Sequence, residues 1–157
     1  MTDNIIYRSP ISAIDFKKYY ELRWRILRKP WNQPKGSEVN ESDVDAFHIM
    51  AELNDKIIGV GSIHELEEGI GRIRFMAVDD DWQKHGIGQT VVKLLEENAK
   101  SKNWNKVRLW AREIAINFYQ NLGYKIISDG YTIFDVIKHK IMEKELSPLQ
   151  VSRISNF

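Results

Sequence analysis

Between Gly71 and Ala99 the spacing of apolar residues changes once and completely. In GRIRFMAV, Ile73, Phe75 and Ala77 alternate with Arg72, Arg74 and Met76, the period of a strand. From Gly86 onward Ile87, Val91, Leu94, Leu95 and Ala99 fall on one side and Lys93, Glu96, Glu97 and Lys100 on the other, which predicts a helix ending near Asn103. The two periods are joined by one turn, DDDWQKHGIG, residues 79–88. Strand and amphipathic helix thus follow one another in the same stretch, as in an α/β chain.

The other segments extend the pattern. Ile5 to Arg8 reads as a short strand, and Asp15 can cap a helix to about Arg28 whose Tyr19, Leu22 and Ile26 share a face. KPWNQPKGSEVNESD, with two prolines and a glycine, reads as loop or broken helix. Phe47–Leu53, a turn at Asn54-Asp55, and KIIGVGSIHEL predict a hairpin, followed by a turn at Glu67-Glu68-Gly69. Val107–Ala111 reads as strand, Ile114–Asn121 as a helix stopped at Leu122-Gly123, and Tyr124–Ser128 as strand. Weak alternation through Tyr131–Phe134 and Ile141–Leu146 predicts a final strand or hairpin. An antiparallel first half feeding strand-helix-strand-helix-strand predicts a mixed α/β sheet.

A chain of 157 residues with no internal repeat or low-complexity linker predicts a single domain over 1–157. With 23 Lys and Arg against 22 acids, the balance gives no reason to propose nucleic acid or an anionic membrane as partner, so any anion site must be local. No Cys is present, which removes disulfides, thiolate metal sites and a Cys nucleophile. His48, His64, His85 and His139 show no HExxH or short paired spacing, so no metal is expected. MTDNIIYRSP lacks the basic-then-apolar start of a secretory leader, and no run of about 18 apolar residues occurs. A cytoplasmic location is therefore expected.

The turn before the long helix invites an anion. A helix start leaves backbone N–H groups unpaired at the positive end of the macrodipole, and glycines at 86 and 88 leave those donors uncovered. Neither GxxxxGK[ST] nor a full GxGxxG is present, so the nucleotide signatures built on them are not supported. Asp79, Asp80 and Asp81 would repel a phosphate, and the expectation is that all three face water.

Gln83-Lys84-His85-Gly86-Ile87-Gly88 resembles the Gln/Arg-x-x-Gly-x-Gly/Ala motif of the GCN5-related N-acetyltransferases (GNAT). Ala115-Ile116-Asn117-Phe118-Tyr119-Gln120-Asn121-Leu122-Gly123-Tyr124 is similar to that family's A-x-x-x-Y-x-x-x-G-[FY] helix. The resemblance spans about residues 48–128. It implies the acyl-CoA N-acyltransferase fold, with a mostly antiparallel N-terminal half and a splayed central strand pair between the strands ending at Val78 and starting at Val107. It also implies direct acetyl transfer from acetyl-CoA to a primary amine. By the same resemblance the backbone of Gln83, Lys84, His85, Gly86, Ile87, Gly88 and Gln89 would hold the pyrophosphate, and Met76, Ala77 and Val78 the pantetheine arm and the carbonyl oxygen. Asn117 and Arg112 lie where family members often contact the coenzyme. Tyr119 would be the general acid for the thiolate. The departure is the three aspartates, where relatives tend to carry proline and cations.

Transfer also needs an unprotonated amine, because an alkyl ammonium has an intrinsic pKa near 10.4. Glu65, with His64 beside it, and Glu113 are candidate bases, and strand alternation puts His64 and Glu65 on opposite faces. Tyr20, Trp24 and Trp31 offer apolar walls for an acceptor, and Arg23, Arg25, Arg28 and Lys29 form a basic cluster that favours a carboxylate or phosphate over a polyamine. Arg72 and Arg74 are placed to read an acidic substrate. Snorkelling cations on an amphipathic helix and on an exposed strand explain the same residues. The acceptor class stays open as a small-molecule or peptide amine. A silent CoA-binding module and a cofactor-free interaction domain are the alternatives. Monomer and homodimer both fit, with the apolar C-terminal strand and the tail LSPLQVSRISNF as candidates for a dimer edge.

Overall fold

The computed structural model describes residues 4–147. Seven strands, β1 Ile6–Arg8, β2 Phe47–Leu53, β3 Lys56–Glu67, β4 Ile70–Val78, β5 Lys106–Arg112, β6 Lys125–Ile133 and β7 Ile137–Glu145, form one sheet in the order β1-β2-β3-β4-β5-β7-β6. Every neighbouring pair is antiparallel except β4 and β5. The expected mixed α/β sheet is therefore observed. Helices α1 Ala13–Leu27 and α2 Ile87–Ser101 pack on opposite faces, and the short α3 Ile116–Asn121 follows β5. No helix among the described residues is long and apolar enough to cross a membrane.

Helix α2 covers β2, β3 and β4 through the stripe that its sequence displays: Ile87, Val91, Val92, Leu95 and Ala99 are all buried. Gly61 in β3 makes this approach possible, since a Cβ there would lie 2.5 Å from the Met76 sulfur and 2.8 Å from Val91 Cγ1. Helix α1 takes the other face of β3 and β4 with Tyr19, Leu22 and Leu27. Its cap is Ser12 and not Asp15. The Ser12 hydroxyl accepts the Asp15 N–H at 3.1 Å while the Asp15 carboxylate accepts the Ser12 N–H, a capping box.

Three further expectations need correction. The alternation in GRIRFMAV is broken by a bulge: Phe75 sits at φ 57, and Phe75 and Met76 together oppose Gly61 of β3. Ile73 therefore faces α2, whereas Phe75 and Ala77 face α1. The C-terminal strand β7 is not an edge, because it is inserted between β5 and β6; the edges are β1 and β6. The tail proposed beside it lies, from residue 148, outside the described residues. Finally, Asp79 does not face water. It is 3% exposed, its carboxylate accepts the Asp81 N–H at 2.9 Å and it pairs with Arg25 at 3.1 Å, whereas Asp80 and Asp81 are exposed.

The segment 29–46 is neither a plain loop nor a helix. It contains 3-10 turns at Lys29–Trp31 and Glu41–Val44 and is tied to α1 by a buried pair, Arg23 Nη1 to Asp43 Oδ2 at 2.8 Å. Around it, His48 Nε2 lies 2.8 Å from the Asp43 carbonyl and its Nδ1 2.7 Å from the Tyr19 hydroxyl, which also reaches the Gly61 carbonyl at 3.1 Å. Burial holds the His48 pKa below its usual value. Segment 29–46 is thus fixed against α1 and β2.

Candidate active site

Strands β4 and β5 pair only from Ile70↔Lys106 to Ile73↔Leu109, although β4 continues to Val78 and β5 to Arg112. Beyond Ile73 the two strands part. The Asp79 N–H donates to Ile58 of β3 at 2.8 Å, and successive N–H groups of an extended strand point to opposite edges, so the Val78 N–H faces the gap. The opening thus presents backbone donors on one wall without any special side chain.

At the mouth of the gap α2 begins uncapped. Gly86 is its N-cap at φ 80, no side chain bonds the helix end, and the first helical bond is from Thr90 N–H to the Gly86 carbonyl at 3.1 Å. The N–H groups of Ile87, Gly88 and Gln89 are left without helical acceptors. A Cβ built on Gly86 would meet nothing within 4 Å, whereas one on Gly88 would lie 3.2 Å from Phe118 Cζ and 3.6 Å from Val78 Cγ2. The first glycine supplies a left-handed backbone and the second supplies clearance. Gln83, Lys84, His85 and Gln89 are all exposed around this point, with His85 packed on Trp82 at 5.4 Å. Gln83 Nε2 reaches the Val78 carbonyl at 3.4 Å.

Below the gap lies a cavity of about 140 Å³. Ile73, Met76, Leu109 and Ala111 make its apolar wall and Tyr119 borders it. Tyr119 is 7% exposed, and its hydroxyl has no hydrogen-bond partner among the described residues. Burial pushes its pKa well above the usual phenol range, so the hydroxyl keeps its proton at neutral pH.

The opposite wall is basic. Arg28, Arg72, Arg74 and Arg112 line it, together with Trp110, Tyr131 and His139, and no Asp or Glu among the described residues does. Arg72 stacks on Trp110, with its guanidinium carbon 3.9 Å from the ring centre, and donates to the Tyr131 hydroxyl at 3.0 Å. Arg112 lies over Trp31 at 4.7 Å. His139 Nδ1 is 3.1 Å from the Tyr131 carbonyl and 3.0 Å from that of Ile137, which places the ring hydrogen on Nδ1 and the lone pair on Nε2. Burial, with Arg112 and Arg72 nearby, holds the His139 pKa below its usual value, so it is neutral.

The candidate bases and substrate residues are distributed unevenly around this site. Glu65 is exposed in β3, accepts the Gly69 N–H at 3.4 Å, and does not line the cavity. Glu113 is exposed just after β5 and does not line it either, and Asn117 is exposed on α3. Of the acceptor residues Arg28 lines the cavity directly. Trp31 stands behind Arg112, and Trp24 donates from its indole to the Gln33 carbonyl at 3.0 Å. His139, Trp110 and Tyr131 were not singled out for this site from sequence. Their register, with Arg112 opposite His139 across β5 and β7, depends on a strand order that no local pattern displays.

The family model described as Acetyltransferase (GNAT) family matches residues 16–124. An uncharacterised N-acetyltransferase of Bacillus subtilis, YjcF, is 26% identical over 129 residues, covering 82% of this chain and 91% of that protein. An aminoglycoside 6'-N-acetyltransferase crystallised with coenzyme A superposes with a TM-score of 0.77 at 16% identity, covering 92% of this chain and 98% of the other. A GNAT acetyltransferase from Elizabethkingia anophelis with acetyl-CoA bound gives 0.70 at 18%, covering 92% and 100%. These two share the fold with a chain whose β4 and β5 part as described, and the match over residues 16–124 contains the turn, the gap and Tyr119. The chain belongs to the GNAT acetyltransferase family and is, as a member, an acyltransferase.

Proposed function

We propose that the protein transfers the acetyl group of acetyl-CoA directly to the primary amine of a small molecule or peptide. The observation that carries this reading is the parting of β4 and β5 beside an uncapped α2 N-terminus, with Tyr119 at the inner end of the same opening.

The residues fit acetyl-CoA in three places. The free N–H groups of Ile87, Gly88 and Gln89, with Lys84 and His85 adjacent, suit a pyrophosphate. The outward edge of β4 at Met76 to Val78 suits the amides of a pantetheine arm by strand addition. The Val78 N–H then lies on the wall where a thioester carbonyl would develop negative charge, so it serves as the oxyanion donor.

In the reaction the amine nitrogen attacks the thioester carbon, the carbon–sulfur bond breaks, and Tyr119 Oη gives the departing sulfur its proton. A thiol near pKa 8.5 leaves readily, so this donation adds to a rate set mainly by juxtaposition of the two reactants. The proton leaving the amine goes to water or to the Nε2 of His139. Glu65 and Glu113 are exposed and do not line the cavity, so neither is the direct base in this reading. A base of modest strength suffices here, because the positive wall of the cavity disfavours an ammonium and lowers the pKa of an amine bound there.

Release of coenzyme A thiol from acetyl-CoA, followed across a panel of primary amines, tests the reading. Acetyl-CoA that binds stoichiometrically without transfer to any amine would instead identify a silent CoA-binding module.

A further inference from the structure

The described arginines divide into two sets. Arg8 pairs with Asp15 and Glu52, Arg23 with Asp43, Arg25 with Glu21 and Asp79, and Arg108 with Glu143 and Glu67. Arg28, Arg72, Arg74 and Arg112 have no carboxylate within ion-pair distance among the described residues, and these four line the cavity. Arg108 makes the contrast sharp: it lies on β5 two positions from Trp110 and four from Arg112, and its guanidinium reaches Glu143 at 2.6 Å. The fold supplies acids to the arginines outside the cavity and withholds them from those inside.

The unpaired set is also held in place by neutral groups. Arg28 donates to the carbonyls of Ser37 and Leu27, and Arg112 to that of Leu27. Arg72 is fixed between Trp110 and the Tyr131 hydroxyl, and its Nε–H is buried with no acceptor among the described residues. Burial holds all four guanidiniums below their usual pKa, and Arg72 adds to this at Arg74 as Arg28 does at Arg112. Gathering four cations without a counterion opposes folding, so their arrangement is that of a receptor.

We infer that these arginines bind an oxyanion on the acceptor, so that the amine acetylated belongs to a small molecule whose other end is a carboxylate or a phosphate. Arginine is suited to either, since its fork of N–H donors meets both in bidentate fashion. The field that holds the tail also keeps the amine unprotonated, and it rejects polyamines and other polycations. The inference depends on the acetyltransferase reading for the fate of the amine, but the oxyanion site itself does not.

Two measurements test it. First, with the protein saturated in coenzyme A so that the α2 turn is occupied, inorganic phosphate and glutarate are titrated against melting temperature. At least one raises it in the wild type, and neither does in the Arg72→Gln/Arg74→Gln double variant, whose coenzyme A affinity is unchanged. Second, thiol release is compared for matched acceptors: β-alanine against β-alaninamide for the carboxylate, and O-phosphoethanolamine against ethanolamine for the phosphate. The anionic member of one pair is favoured by about tenfold or more in kcat/KM, and the double variant removes the preference. Oxyanion binding without transfer to any amine leaves the site standing and overturns the transferase reading. Transfer that is indifferent to the anion, no thermal response to either oxyanion, or a parallel loss of coenzyme A binding in the double variant overturns the inference.

Discussion

Tyr119 is the proton donor on which the proposed transfer draws. It is buried at the inner end of the gap with a hydroxyl that keeps its proton, so Tyr119→Phe removes a proton donor without opening a void. Transfer in this variant falls about 10- to 100-fold, less than the upper range of general acid effects because the thiolate is a fair leaving group, while acetyl-CoA affinity is retained. A variant with full turnover would remove Tyr119 from the chemistry. Asp79 makes the opposite kind of prediction. Its carboxylate is buried, caps the Asp80–Trp82 turn and meets Arg25, so Asp79→Ala destabilises the protein by about 1–3 kcal/mol, measured by denaturant unfolding. Asp80→Ala, at an exposed neighbour, changes stability within about 0.5 kcal/mol and leaves coenzyme binding unchanged or slightly tighter. Sequence did not separate these aspartates, because which carboxylate turns inward depends on Arg25 of α1, 54 positions away.

The elements were legible where the pattern is local. The two-residue turn at Asn54 and Asp55, both left-handed, joins β2 to β3, and the apolar stripe of α2 faces the sheet as its spacing dictates. Strand β4 was legible as a strand but not as a bulged one. Nothing in GRIRFMAV marks Phe75 for a positive φ, and the bulge is what lets Arg72 and Arg74 share a face with Phe75 and Ala77. The order β5-β7-β6 is equally non-local and is the reason His139 and Tyr131 reach the cavity. Segment 29–46 is tied to α1 by hydrogen bonds from Trp24 and Arg28 and by one buried ion pair, and Asp43→Ala, which leaves Arg23 buried without its carboxylate, costs about 3–5 kcal/mol. Equilibrium unfolding of the variant checks this, and a loss under about 1 kcal/mol would mean that the segment is anchored elsewhere.

For the molecule as a whole, three histidines set a pH dependence. Burial holds His48, His64 and His139 below the ordinary histidine value of 6.5, with Arg74 and Arg72 adding to it at His64 and Arg112 and Arg72 at His139. Below pH 6.5 the unfolded chain therefore binds protons that the native state refuses, and stability is lost as pH falls through that window. The melting temperature declines from pH 7.5 to pH 5.5, and a flat profile would contradict the neutral histidines. The proposed cofactor site was readable in the sequence and the basic wall was not. One α2 turn and one short helix carry the former in contiguous residues, whereas the basic wall is assembled from the end of α1, β4, β5, β6 and β7.

Calorimetric titration of acetyl-CoA into the wild type and into Gly88→Val measures whether the α2 turn beside the β4–β5 gap holds the coenzyme. The substitution sets a Cβ 3.2 Å from Phe118 Cζ and 3.6 Å from Val78 Cγ2 and adds a branched side chain beside the free donors of α2. Saturable binding at one site per chain is expected in the wild type, and its loss in a variant that still melts cooperatively, if acetyl-CoA sits at this turn. Absence of binding in the wild type, or unchanged affinity in a folded variant, would contradict that placement.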